Sequence, residues 1–171
     1  GWHGRLHAGE PVPTLEALVR FVLRNGLALN VEIKPSPGAE TATGRAVAQQ
    51  CRRWWAELAP PGAPPPLLTS FKPAALRAAR EAAAELPRGL LLDHWREGWW
   101  DEAQALECAA VVTHFSMLDA PGIGGLHAGG MRALAYTVND ACEAQRLLGA
   151  GIDGLITDAI DRFAPGDGLL D

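Results

Sequence analysis

Short apolar runs alternate with helix-period segments along this chain, and that alternation constrains its fold more than any other feature. Residues 27–33, 67–70, 89–93, 109–114, 132–138 and 153–157 are short, mostly apolar and closed by polar side chains, as buried strands are. Between them lie helical patterns. In 14–25, Leu15, Leu18, Val19, Val22 and Leu23 share one face, with Thr14 placed to cap the start and Gly26 to end the helix. Val47, Cys51, Trp54, Trp55 and Leu58 recur at helical spacing until Pro60-Pro61-Gly62-Ala63-Pro64-Pro65-Pro66 forbids continuation. Residues 73–86 read as an Ala-rich helix with proline in its first turn, 101–107 as a short helix, 121–130 as a weak Gly-rich one, and 139–148 as a helix closed by Gly149 and Gly151. Strands separated by helices pair in parallel, because each right-handed crossover needs a helix-sized return path. The class is α/β.

The residues with chemistry to offer fall at the carboxyl ends of these strands: Glu32 and Lys34, then Ser70, His114, Asn139 and Asp158. That edge is where α/β folds bind ligands. No GxGxxG follows the first strand, which argues against a dinucleotide-binding fold. A (β/α)₈ TIM barrel fits better, yet it needs eight strands and rarely runs below about 200 residues. With 171 residues and six strands, the expectation is a barrel shortened at its N-terminus to about six of eight βα units. Residues 1–171 then form the C-terminal part of a single barrel domain.

Composition narrows the partners. The net charge is −5 and the basic residues are spread singly, which excludes nucleic acid as the main partner, since phosphate backbones draw on clustered positive charge. No run approaches 18 apolar residues and no signal-peptide core is visible, so neither a membrane span nor secretion is expected and the cytoplasm is. Cys51, Cys108 and Cys142 lack CxxC spacing and read as small helix-face fillers.

Val31-Glu32-Ile33-Lys34-Pro35 is the sharpest local signal. Strand residues two apart share a face, so Glu32 and Lys34 project into the barrel while Val31 and Ile33 meet the helices. Only Lys34 and Lys72 among fifteen basic residues are lysines, so a lysine here suggests a need for a compact ammonium. Two readings stand side by side, a self-satisfying Glu–Lys pair and a functional pair.

Gly9-Glu10-Pro11-Val12-Pro13-Thr14-Leu15, Val31-Glu32-Ile33-Lys34-Pro35, Thr69-Ser70-Phe71, Tyr136-Thr137-Val138-Asn139 and Gly151-Ile152-Asp153-Gly154-Leu155-Ile156-Thr157-Asp158 stand in an order and spacing that resembles the glycerophosphodiester phosphodiesterases, above all their bacterial cytosolic members. The resemblance runs from Gly1 to about Gly166. It implies a barrel that hydrolyses glycerophosphodiesters to sn-glycerol 3-phosphate and an alcohol with a divalent cation, Mg²⁺ or Ca²⁺. By that resemblance Glu32 is a metal ligand, Lys34 the lysine beside the scissile phosphate, and Phe71 and Tyr136 substrate-pocket aromatics, although both rings also suit rim packing. A hard cation favours carboxylate oxygens, and an ammonium can neutralise charge developing on phosphoryl oxygens.

The family's His-Arg pair, its Glu-x-Asp ligands and its His-Asp are not found in the sequence; His3-Gly4 and His7-Ala8 do not repeat them, and both histidines read as surface residues. The isolated chain is therefore expected to be inactive, and an oligomer covering the open barrel edges is one expected partner arrangement. Two other readings compete: a non-catalytic barrel remnant that binds a phosphate ligand or a protein partner, and an aldolase-type barrel with Lys34 as Schiff-base lysine. Elsewhere, His114 could reach the site from its strand end but reads first as a hydrogen-bonded core histidine, and Asn139 and Asp158 read as helix N-caps ahead of a site role. Trp95, Trp99 and Trp100 form a cluster covering a neighbouring helix or a second subunit. Asp93-His94-Trp95-Arg96-Glu97 shows no spacing that points to a reaction.

Overall fold

A computed structural model describes Gly9 and residues 11–163. His3 and His7 lie outside the described residues. The elements run α1 (Leu15–Arg24), β1 (Asn30–Glu32), α2 (Glu40–Leu58), β2 (Leu67–Ser70), α3 (Pro73–Ala82), β3 (Arg88–Leu92), α4 (Trp99–Ala105), β4 (Ala110–His114), α5 (Ala120–Ala128), β5 (Arg132–Tyr136), α6 (Ala141–Gly149) and β6 (Gly154–Leu155). All six strands are parallel and lie in chain order, with Val31 opposite Leu68, Leu90 opposite Val111, and His114 opposite Tyr136. The expected α/β class and six consecutive parallel strands are borne out, with a helix after each of the first five.

The sheet is curled. Phe71 follows β2 and Tyr136 ends β5, three strands away, which in a flat sheet is about 14 Å. Their ring centroids are 5.9 Å apart, edge to face. Tyr136 also donates its hydroxyl to the Leu92 carbonyl at 3.0 Å, reaching across β4 to β3. Such approaches require a sheet folding toward closure, as in a barrel.

Strand alternation separates two layers. Outward positions pack on helices: Val31, Ile33 and Leu68 meet Ala48 and Cys51 of α2 and Ala75 and Ala79 of α3. Leu90, Val111, Ala133 and Ala135 join Ala103, Ile123, Leu126, Ala144 and Leu147. The inward layer includes Thr69 and Val112, whose methyls flank Gly89 so closely that a Cβ there would sit 2.9 Å from Thr69 Cγ2.

Helix starts follow from caps: Thr14 Oγ1 accepts from Ala17 N, Asp119 from Gly122 N, and Asp140 from the amides of Cys142 and Glu143. Asp140, not Asn139, is thus the cap of α6. Nor does Asp158 cap a helix, since none follows it among the described residues. Helix α2 begins at Glu40, two turns before the apolar pattern, because its early inner face is made of Gly44 and Ala48. Cys51 is a buried helix-face filler as expected, whereas Cys108 is buried just before β4 and Cys142 is exposed on α6. No described helix is long and apolar enough to cross a membrane.

Candidate functional site

The carboxyl edge of the curled sheet gathers one class of position. On β1, Val31 and Ile33 are buried against helices, so Glu32 and Lys34 point to the opposite, inward side, where both are exposed. The same alternation makes Phe71 inward beyond β2, Asp93 inward beyond β3, His114 inward at the end of β4 and Tyr136 inward at the end of β5. The four residues singled out from the sequence, Glu32, Lys34, Phe71 and Tyr136, therefore share one face and one edge. Asp93 and His114 join them.

Local chemistry fixes this rim. Ser70 turns outward and donates from Oγ to the Ile33 carbonyl at 2.7 Å while accepting from Lys72 N at 3.1 Å, tying the end of β1 to the turn carrying Phe71. Ser70 is thus structural. Tyr136 stands edge-on to Phe71 on one side and to His114 on the other, at 5.9 and 6.1 Å. Burial, then the Asp93 and Glu32 carboxylates, raise its phenol above the ordinary value, so it stays a neutral O–H donor.

His114 is not a core histidine. It is half-buried at the strand end, with Nδ1 2.8 Å from Ser116 Oγ and its ring 4.3 Å from that of Phe115. Asn139 Oδ1 accepts from Thr157 Oγ1 and from the Asp158 amide, both at 2.9 Å, and so joins the loops after β5 and β6. Trp95, Trp99 and Trp100 pack in sequence, the first pair tilted at 4.8 Å and the second edge to face at 5.4 Å. Trp100 lies against Gly129 at the end of α5, where a Cβ would come within 2.4 Å of the indole. That group covers a neighbouring helix, one of its two expected roles.

Beside the rim, Phe71, Lys72, Leu91, Leu92, Asp93 and Arg96 line a cleft of about 440 Å³. The sequence offers Asp93 only within Asp93-His94-Trp95-Arg96-Glu97, whose spacing points to no reaction; strand parity is the signal that turns it inward, and its Oδ1 lies 2.6 Å from His94 Nδ1. Glu32 does not by itself suit a hard divalent cation, which takes six or more oxygens. Among the described residues no three His, Cys, Asp or Glu side chains converge to hold one.

Comparison with known proteins identifies the family and the fold. The model of the glycerophosphoryl diester phosphodiesterase family matches residues 2–162. A glycerophosphodiester phosphodiesterase of Caldanaerobacter subterraneus subsp. tengcongensis is 25% identical over 159 residues, which are 91% of this chain and 61% of that protein. Among solved structures, an Oleispira antarctica phosphodiesterase in complex with the product sn-glycerol-3-phosphate is 29% identical with a TM-score of 0.80, covering 92% of this chain and 62% of that one. A Silicibacter pomeroyi structure described as a glycerophosphoryl diester phosphodiesterase, at 24% identity and TM-score 0.73, shares the fold over 86% of this chain and 53% of its own. The chain thus spans about three fifths of the length of the first two relatives.

Proposed function

The chain belongs to the glycerophosphoryl diester phosphodiesterase family, and from that premise we propose that the whole protein hydrolyses glycerophosphodiesters to sn-glycerol 3-phosphate and an alcohol. The observation that carries this reading is the convergence of Glu32, Lys34, Phe71 and Tyr136 on the inward side of one carboxyl edge. Lys34 sets its ammonium beside the phosphoryl group, where it offsets charge that grows as the ester bond breaks. Phe71 and Tyr136 wall the carbon part of the substrate. Glu32 would contribute one oxygen donor to a divalent cation, Mg²⁺ or Ca²⁺; among the described residues no three His, Cys, Asp or Glu side chains converge to complete such a site. Such substrates belong to lipid and glycerol metabolism, and the resemblance to bacterial cytosolic members is the ground for proposing a cytoplasmic location.

The 171-residue chain alone binds the product and does not turn over. Two measurements test this. Incubating it with glycerophosphocholine and Mg²⁺ or Ca²⁺ should release no glycerol 3-phosphate; EDTA-sensitive release overturns the inactivity. Calorimetric titration with sn-glycerol 3-phosphate should show binding that Lys34→Ala weakens about tenfold or more, as expected for a charge-assisted phosphate contact. Unchanged affinity removes Lys34 from the site. That no cation-binding group converges among the described residues favours one second reading, a phosphate-binding remnant without catalysis. Turnover by a longer chain that includes the preceding family segment decides between the two.

A further inference from the structure

His114 has a free donor where the proposed ligand would lie. The Ser116 backbone N–H points at His114 Nδ1 at 3.4 Å, and an amide can only donate, so Nδ1 is an acceptor. The neutral ring then carries its proton on Nε2. None of the described residues accepts from Nε2, although Nδ1 is held by Ser116 and the ring by Phe115 and Tyr136. A ring fixed on three sides with its remaining donor unspent is preorganised for an outside acceptor.

The rim shows which part of a ligand that donor meets. His114 and Tyr136 are register partners at the ends of β4 and β5, and both face inward. Of the inward residues ending β2 to β5, Phe71 has no polar group, Asp93 accepts only, and Tyr136 spends its hydroxyl on Leu92. His114 alone of these four keeps an N–H to give. Lys34 and Glu32 stand three strands away on β1, facing it around the curl.

We infer that His114 is a substrate-binding residue whose Nε2–H donates to a hydroxyl oxygen on the polyol part of a ligand whose phosphate lies beside Lys34. This rests on the phosphate-binding reading above. It makes His114 the group that distinguishes a glycerol-bearing phosphate from a plain alkyl phosphate.

The test titrates wild type, His114→Phe and Lys34→Ala with two probes, sn-glycerol 3-phosphate and n-propyl phosphate, which has the same carbon count but no hydroxyls. Wild type should prefer the glycerol probe about three- to tenfold, the value of one hydrogen bond. His114→Phe keeps an aromatic ring between Phe115 and Tyr136; it should bind propyl phosphate like wild type and lose the preference. If the preference survives in that variant, His114 is not the donor, while the role of Lys34 stands. If Lys34→Ala binds both probes as wild type does, or if wild type binds neither, the phosphate reading fails and this inference fails with it. A readout without substitution covers a variant that does not fold: the ¹⁵N resonance of His114 Nε2 should move with the glycerol probe and not with the propyl one, and the reverse overturns the inference.

Discussion

Arg88 buries a guanidinium at the amino end of β3, with 4% of the residue exposed, and spends it on carbonyls rather than on a ligand. Nε donates to Leu106, Nη1 to Ala84 and Leu86, and Nη2 to Glu107, at 2.6 to 3.2 Å, so one side chain ties the ends of α3 and α4 to the sheet. Removing it strands the buried Leu86 and Leu106 acceptors away from water. Arg88→Met should cost about 2–4 kcal/mol in urea unfolding, and Arg88→Lys should recover only part, because an ammonium cannot fork to four carbonyls. A Met variant as stable as wild type would show that the acceptors find water. Asp153, at the opposite edge from the site, makes a pH prediction. Burial pushes its carboxyl up, but the Ala133 amide at 2.8 Å, His127 Nε2 at 2.7 Å and Arg132 outweigh this and hold it below the ordinary 3.8. A carboxyl lowered on folding adds stability that is present above its unfolded value and fades as pH falls through the folded one. Between pH 5 and 3, wild type should therefore lose stability more steeply than Asp153→Asn. Parallel slopes in that window, followed by thermal melts, would remove Asp153 from the acid response.

Helices α2 and α3 meet through glycine. A Cβ on Gly44 would lie 2.2 Å from the Ala75 carbonyl oxygen and 2.9 Å from its Cα, and these backbone atoms cannot swing aside. Gly44→Ala should gain helix propensity and still lose about 1–3 kcal/mol net, as overpacked interfaces do, with the loss read as a lower urea midpoint. A stabilised variant would mean that the helices separate at little cost. This contact also shows where the sequence stops being readable. All six strands were legible as short, mostly apolar runs closed by polar residues, and the helical face of α1 because large apolar side chains repeat at helical period. The first two turns of α2 were not, since Gly44 and Ala48 create close approach without an apolar signal. Nor were the caps of the last loops: Asn139 and Asp140 are adjacent and chemically similar, and only the backbone path decides that Asp140 caps α6 while Asn139 bridges to Thr157 and Asp158. At the site, Glu32 and Lys34 followed from strand parity within one motif. Asp93 and His114 also follow from parity at their strand ends, but that they share a rim with Tyr136 needs the register between strands, which no single stretch of sequence contains.

The curl that assembles the rim also leaves two unsatisfied borders. Among the described residues β1 pairs only with β2, and β6 only with β5, so each carries a row of free amides and carbonyls on its outer side. Parallel strands are normally buried on both faces and paired on both edges, which makes such borders sticky. The β1 side adds apolar surface, since Leu18, Phe21 and Leu27 are each more than 40% exposed. The phosphate binding proposed for Lys34 needs only the local rim, whereas the stability of the sheet depends on what covers these borders. The isolated chain is therefore expected to self-associate: sedimentation velocity should show a weight-average mass that rises with protein concentration. Replacing Leu18 and Phe21 with Glu should shift that rise to higher concentration without touching the rim, so affinity for sn-glycerol 3-phosphate should stay unchanged. A wild-type chain that sediments as a monomer at every concentration and melts in one cooperative step would mean that six strands satisfy themselves, and the need for further barrel strands would lose its physical ground.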